Sequence, residues 1–149
     1  VLAERGTDIA LIDVDVDGAE YTQRKIAGLG RKAAVYRANV ASSPEVKEAV
    51  SAVMSDFGRI DVLVNAAGVI GAYGWEDSSI SREADWDLTF DVNVKGTALV
   101  SDTVSLHMKA RRSGKIVNIS SHGGRSGAGA SAGAEDARHR RGAAGVRRA

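Results

Sequence analysis

An α/β fold built on a parallel sheet is what this sequence predicts, and three observations carry the prediction. Four short apolar runs, at residues 7–13, 31–40, 59–68 and 115–121, each end in small or polar residues. Between them lie segments whose apolar residues recur at helical spacing, so strand and helix alternate and the strands call for right-handed crossovers. The clearest run is Arg59-Ile60-Asp61-Val62-Leu63-Val64-Asn65-Ala66-Ala67-Gly68, a continuous apolar stretch between Gly58 and Gly68 that suits a strand buried on both faces. Ligands of open α/β sheets bind beyond the carboxyl ends of the strands, which is where residues 65–68 fall.

In chain order, residues 1–6 read as the last turn of a helix that begins upstream, with Gly6 as its stop. The strand at 7–13 ends on Asp13. Asp17 is the expected cap of a helix over 18–29, whose Ala19, Thr22, Ile26 and Leu29 share a face before Gly30. After the strand at 31–40, Ser43 is expected to cap a helix with Pro44 at its first position and Val46, Ala49, Val50, Val53 and Phe57 as its apolar stripe. Residues 69–82 carry Tyr73, Trp75 and several Ser without a period and read as a loop. Residues 83–112 read as the longest helix, with Trp86, Phe90, Val94, Val100, Val104 and Met108 inward. Lys115 opens another buried strand, Ile116-Val117-Asn118-Ile119, which ends in Ser120, Ser121 and two glycines.

The length, 149 residues, is one domain's worth. The chain has no cysteine, no run of eighteen apolar residues and no signal-peptide pattern, so disulfides and thiolate chemistry are excluded and a soluble cytoplasmic protein is expected. His107, His122 and His139 have no metal-ligand spacing. The net charge of +1 is uneven: residues 135–149 carry five Arg against Glu135 and Asp136, which leaves −2 for the rest.

Three motifs stand in order: Asn65-Ala66-Ala67-Gly68, then Asp91-Val92-Asn93-Val94-Lys95-Gly96, then Gly114-Lys115-Ile116-Val117-Asn118-Ile119-Ser120-Ser121. In this order and at these separations they resemble the short-chain dehydrogenase/reductase family over roughly residues 1–127, with the family pattern incomplete at both ends. The resemblance implies a partial doubly wound parallel sheet, Rossmann-like, lacking the first strand and the C-terminal strands. It implies an oxidoreductase that transfers hydride between NAD(H) and a small-molecule alcohol or ketone, without nucleic acid or membrane, and a homo-oligomer for the intact family member. In such an enzyme Ser121 is the catalytic serine that bonds the substrate oxygen, and Asn93 holds a water in the proton relay. Asp13, Asn39, Val40, Asn65, Ala66, Ala67 and Gly68 contact the cofactor. An acid at the end of the 7–13 strand accepts from both hydroxyls of an adenosine ribose and repels a 2′-phosphate, so Asp13 argues for NAD over NADP. Where the family usually has Asp-Val this chain has Asn39-Val40, and an amide still meets the adenine edge. Two plainer readings stand beside these: Asp13 with Asp15 and Asp17 as a solvated acidic turn, and Asn93 as an amide satisfied by a neighbouring carbonyl.

Two parts of the family pattern are missing. The Tyr and the Lys four residues after it that lowers the Tyr pKa belong near Ala134, where the sequence reads Gly133-Ala134-Glu135-Asp136-Ala137-Arg138. The tyrosines are Tyr21, Tyr36 and Tyr73, and no Lys follows Lys115. The glycine-rich turn that places the cofactor pyrophosphate on a helix N-terminus belongs before Val1, and the strand preceding it is central in the family's sheet, which leaves a gap at the cofactor site. Residues 128–149, with eight Ala, four Gly and five Arg, bury too little apolar surface to order themselves. They read as a disordered or frameshifted tail, or else as a basic tail that contacts nucleic acid or an acidic partner, although it has no interleaved aromatics. The chain as written is therefore expected to be inactive. The alternatives are a non-catalytic remnant that binds adenosine or a partner, and a product too unstable to fold.

Overall fold

The computed structural model describes residues 1–69 and 83–121. Most of the loop expected at 69–82, the tail at 128–149 and the position expected for the family tyrosine lie outside the described residues. A 3-10 turn, Ala3–Arg5, closes on Gly6, whose φ of +88° is left-handed and whose N–H returns to the Ala3 carbonyl at 2.9 Å. There follow strand β1 (Ile9–Asp13), helix α1 (Val16–Ala27), β2 (Ala33–Arg37), α2 (Ser43–Phe57) and β3 (Val62–Asn65). Helix α3 (Glu83–Phe90), a π-helical segment (Asp91–Gly96) and helix α4 (Thr97–Ala110) form the long helical stretch, and β4 (Lys115–Asn118) is the last element.

Two helix starts fall elsewhere than the sequence suggests. Asp15, not Asp17, closes the first turn of α1, its Oδ1 accepting from the Gly18 N–H at 3.1 Å. On α2 the extended N-cap backbone belongs to Ser42 (φ −102°, ψ 106°), so Ser43 and Pro44 are the first two helical residues. Pro44 loses nothing there, because N–H groups of the first turn have no intrahelical partner. The entry is held by Glu45, whose carboxylate accepts from the Asn39 N–H at 2.9 Å. That bond, followed by one from the Ser42 hydroxyl, keeps its pKa below the ordinary glutamate value. Gly58, with φ of +73°, ends α2 and returns its N–H to the Met54 carbonyl at 2.9 Å.

Strands β1 and β2 pair in parallel from Ile9↔Ala33 to Asp13↔Arg37, and β3 and β4 from Val62↔Lys115 to Asn65↔Asn118. The pairs form two separate two-stranded sheets, and among the described residues no strand joins β1 to β3. The core lies between α2 and α4, where Val46, Val50, Val100, Val104 and Met108 pack together and Val40, Met54, Ile60 and Leu63 close on them. In β1 and β2 consecutive residues are half-buried. Neighbours in a strand point to opposite faces, so both faces of that pair are covered, by α1 and α2.

The other pair differs from expectation. In β3, Leu63 and Asn65 face α2 and α4, while Val62 and Val64 are 45% and 42% exposed. In β4, Ile116 and Val117 are exposed, as is Ile119 beyond it. The run of β3 was expected to be covered on both faces and that of β4 to be buried, but α2 and α4 cover one face of β3 alone and all four residues of β4 are exposed. A second correction concerns the long helix. Val100, Val104 and Met108 are buried as expected, but Trp86, Phe90 and Val94 are 49%, 55% and 58% exposed. No residue of α3 is buried, and Val94 lies inside the π-helical segment, so among the described residues no face of α3 is packed into the core.

Tyr36, the fourth of the five residues of β2, links that strand to the last turn of α2, its hydroxyl donating to Asp56 Oδ2 at 2.7 Å. Burial first, then the bond to Asp56 and its charge, push the Tyr36 pKa up to about 12. The neutral phenol is favoured by the fold, so its contribution is complete below pH 10 and fades as pH rises from about 10 to about 12. Tyr36→Phe is therefore expected to lower stability by about 1 kcal/mol at neutral pH. Chemical denaturation at pH 8 and pH 11 checks this: the difference between wild type and variant narrows at the higher pH.

Candidate functional site

The residues singled out in the sequence gather at the carboxyl ends of the strands. Asp13 ends β1 and is exposed; its Oδ1 accepts from the Asp15 N–H at 3.0 Å. The register Asp13↔Arg37 places Asn39, two residues beyond β2, beside it. Asn39 is exposed, and its Oδ1 accepts from the Ala41 N–H at 2.9 Å, an Asx turn that leads the chain into α2. The Val40 side chain packs on Gly96. A Cβ added at Gly96 would stand 2.7 Å from Val40 Cγ2, so only glycine lets the π-helical segment come this close to the end of β2.

Asn65 ends β3 and, at 9% exposed, is the buried polar residue of the described chain. Its Nδ2 donates to Ser101 Oγ on α4 at 2.9 Å and to Asn118 Oδ1 on β4 at 2.8 Å. One amide thus ties two strands and a helix together. The exposed turn of Ala66, Ala67 and Gly68 hangs from that anchor. Its far side is clamped by Asn93, whose Oδ1 accepts from the Val69 N–H at 2.8 Å and whose Nδ2 donates to the Val69 carbonyl at 2.9 Å. Both polar atoms of the Asn93 side chain are engaged by the turn. A water at this residue would use its backbone carbonyl, which accepts from Thr97 Oγ1 at 2.9 Å and has a second lone pair. Ser121 is exposed, three residues beyond β4, at the same end of the fold.

Ser101 and Asn118 carry this geometry without having been singled out. The signal for Asn118 was in the sequence: a polar residue inside the apolar run Ile116-Val117-Asn118-Ile119 requires a partner. Nothing in the sequence marked Ser101. Tyr21 and Lys25 do have the spacing of the family's Tyr-Lys pair, but they lie on the outer face of α1. There Lys25 Nζ sits over the Tyr21 ring, 4.3 Å from its centroid, and not beside a site hydroxyl. Tyr36 is held by Asp56. Among the described residues no group of His, Cys, Asp and Glu is placed to hold a metal, and no helix is long and apolar enough to cross a membrane.

The sequence matches the short chain dehydrogenase family over residues 1–133. The chain belongs to that family. It is 36% identical over 127 residues to the (2S)-[(R)-hydroxy(phenyl)methyl]succinyl-CoA dehydrogenase subunit BbsD of Thauera aromatica, which covers 85% of this chain and 50% of the relative. The fold is similar to that of NAD+-bound xylitol dehydrogenase, with a TM-score of 0.76 and 35% identity over 83% of this chain and 46% of that one. It is similar also to a metagenomic short-chain oxidoreductase in complex with NADP, with a TM-score of 0.71 and 32% identity over 80% of this chain and 53% of that one. The Rossmann-like α/β architecture expected from the sequence is therefore established, and the chain spans about half the length of the relatives it matches.

For the nicotinamide dinucleotide that membership in this family implies, the residues present fit the adenosine end. A carboxylate and an amide stand exposed on adjacent strand ends, and the turn at 66–68 presents only small side chains to the cleft. A Cβ added at Gly68 would meet only Asn93 Oδ1, at an ordinary 3.6 Å.

Proposed function

We propose that this chain is part of an NAD(H)-linked oxidoreductase of small alcohols or ketones and that the 149 residues alone have negligible turnover. The observation that carries the reading is the convergence of Asp13, Asn39, Asn65, the 66–68 turn, Asn93 and Ser121 on the carboxyl end of one parallel α/β fold. Asp13, whose Oδ1 also accepts from the Asp15 N–H, accepts from the adenosine ribose hydroxyls. The Asn39 amide donates to the adenine edge, and Val40 and residues 65–68 line the cleft. When bound, the cofactor supplies hydride acceptance or donation. Ser121 bonds the substrate oxygen, and Asn93 fixes the turn against the π-helical segment and offers its carbonyl to a relay water. Proton transfer to or from the substrate requires a Tyr-Lys pair, which the sequence does not place near Ser121, and this supports the expected lack of turnover.

The intact enzyme acts in the cytoplasm as a homo-oligomer, and the exposed stripe of Trp86, Phe90 and Val94 on its long helix suits a subunit contact. A non-catalytic adenosine-binding remnant is the second reading, favoured by the same absence of the pair. Titration with NAD+ and NADP+ followed by NMR tests the proposal. NAD+ is expected to bind more tightly, and Asp13→Ala to weaken it about tenfold, or about 1.4 kcal/mol, with NADP+ nearly unaffected. Equal affinities in the wild-type chain would refute the NAD preference. Oxidation of alcohols above background by this chain would refute the lack of turnover.

A further inference from the structure

We propose that the Asp17–Gly18 peptide is a site of isoaspartate formation in this chain, and that the side chain of Asp15 is the latch that sets its rate. In an Asp-Gly step the glycine nitrogen can attack the aspartyl side chain, because no Cβ on the following residue shields that nitrogen. The sequence holds one Asp-Gly step and no Asn-Gly step. The neighbouring acids Asp13 and Asp15 each precede a valine, whose branched and stiff side chain hinders the same attack. Asp17 and Gly18 are both exposed, in the first turn of α1.

The cap explains both why a glycine stands there and what restrains it. Asp15 (φ −85°, ψ 89°) folds its side chain back over the first turn, where Oδ1 accepts from the Gly18 N–H at 3.1 Å. A Cβ added at Gly18 would stand 2.5 Å from Asp15 Oδ2 and 3.2 Å from its Cγ, so any other residue would crowd the cap. The glycine that admits the cap is therefore the residue that makes the peptide reactive. Attack on Asp17 Cγ requires the Asp17–Gly18 peptide to rotate out of its helical setting. The bond to Asp15 opposes that rotation. So do the bonds from the Ala19 N–H to the Asp15 carbonyl at 3.1 Å and from Thr22 Oγ1 to the Gly18 carbonyl at 3.2 Å. Glycine itself holds a helix poorly, so without the cap this turn opens readily.

The chemistry needs no reagent but water. The Gly18 nitrogen forms a bond to Asp17 Cγ, the Cγ–OH bond of the protonated side chain breaks, and that hydroxyl leaves as water with the nitrogen's proton. The succinimide ring then takes up one water. Opening at Cγ returns aspartate, whereas opening at the main-chain carbonyl routes the backbone through Cβ and Cγ and leaves the α-carboxylate as the side group. Nothing is oxidised or reduced, and the mass is unchanged. The lengthened backbone withdraws the Gly18 N–H from Asp15. Because Asp15 donates its own N–H to Asp13 Oδ1 at 3.0 Å, the change reaches the acid that ends β1. The covalent step does not depend on the cofactor reading.

The test ages the 149-residue chain at neutral pH, digests it with trypsin and locates isoaspartate in the peptide 6–24 by electron-transfer fragmentation. Isoaspartate is expected at residue 17 and not at 13 or 15, and to form about tenfold more slowly in the folded chain than in urea. Asp15→Ala is expected to raise the folded-state rate about fivefold, whereas Asp15→Asn, whose side-chain oxygen also caps, stays within about twofold of wild type. In urea, where no cap forms, the three chains are expected to age alike. No isoaspartate at residue 17, or equal rates for the wild type folded and in urea, would overturn the proposal, and neither outcome requires a variant to fold. So would an Asp15→Asn rate equal to that of Asp15→Ala, or a difference between the variants that persists in urea.

Discussion

Val50→Asp is expected to abolish the cooperative unfolding transition of this chain. Val50 is 1% exposed and lies in the α2–α4 contact with Val46, Val100, Val104 and Met108. A carboxyl group there has no cation within the cluster, so it must take a proton to remain buried. Protonating it at pH 7 against a reference pKa near 3.9 costs about 4 kcal/mol. Loss of the valine's own burial adds about 2 kcal/mol more. Small domains are stable by only about 5–15 kcal/mol, and the bare faces of β3 and β4 place this chain toward the low end. The comparison variant is Val50→Ala, which loses two methyl groups and is expected to cost about 2 kcal/mol while keeping a cooperative transition at lower temperature. Thermal unfolding followed by circular dichroism separates the two. A Val50→Asp chain that melts cooperatively within a few degrees of wild type would show that α2 and α4 do not form the core.

The α2–α4 core was readable because it is periodic. Val46, Ala49, Val50 and Val53 repeat at helical spacing, and so do Val100, Val104 and Met108. The four strands were readable because each is a short apolar run between breakers. What the sequence hid depends on neighbours. Trp86, Phe90 and Val94 repeat at the same spacing as the buried set, and spacing alone does not say that α3 packs no face into the core. Val62 and Val64 look like core residues because their covering is decided by what lies across from them. The cap of α1 moved to Asp15 because three acids in alternate positions, Asp13, Asp15 and Asp17, are equivalent by sequence. Only the chain's path selects among them, with Asp13 bonding Asp15 and Asp15 bonding Gly18. At the site, the strand-end positions of Asp13, Asn39 and Asn65 were legible from the runs they terminate. The clamp that Asn93 makes on Val69 was not, because it closes a separation of 24 residues.

Asn65→Leu is expected to lower stability by about 2 kcal/mol, and the size follows from which partners are left behind. The change keeps the side-chain volume but removes the donors to Ser101 and Asn118. Ser101 is half-buried and loses its partner at close to the full cost of an unmet polar group, about 1–3 kcal/mol. Asn118 is exposed and can turn its amide to water, so it adds little. The reverse truncation, Asn118→Ala, leaves an N–H of the buried Asn65 unmet and is expected to cost as much or more, although it removes an exposed residue. Because both changes break the same 2.8 Å bond, the double variant is expected to lose less than the sum of the singles, by about 1 kcal/mol or more. Urea denaturation of the four proteins closes this cycle. Strict additivity would mean that the amide pair is incidental and that β3 and β4 are joined by their backbones alone. A coupled loss would mean that the cleft end of the sheet is held by side chains. The turn at 66–68 would then keep its place beside Ser121 only while Asn65 is bonded to Asn118.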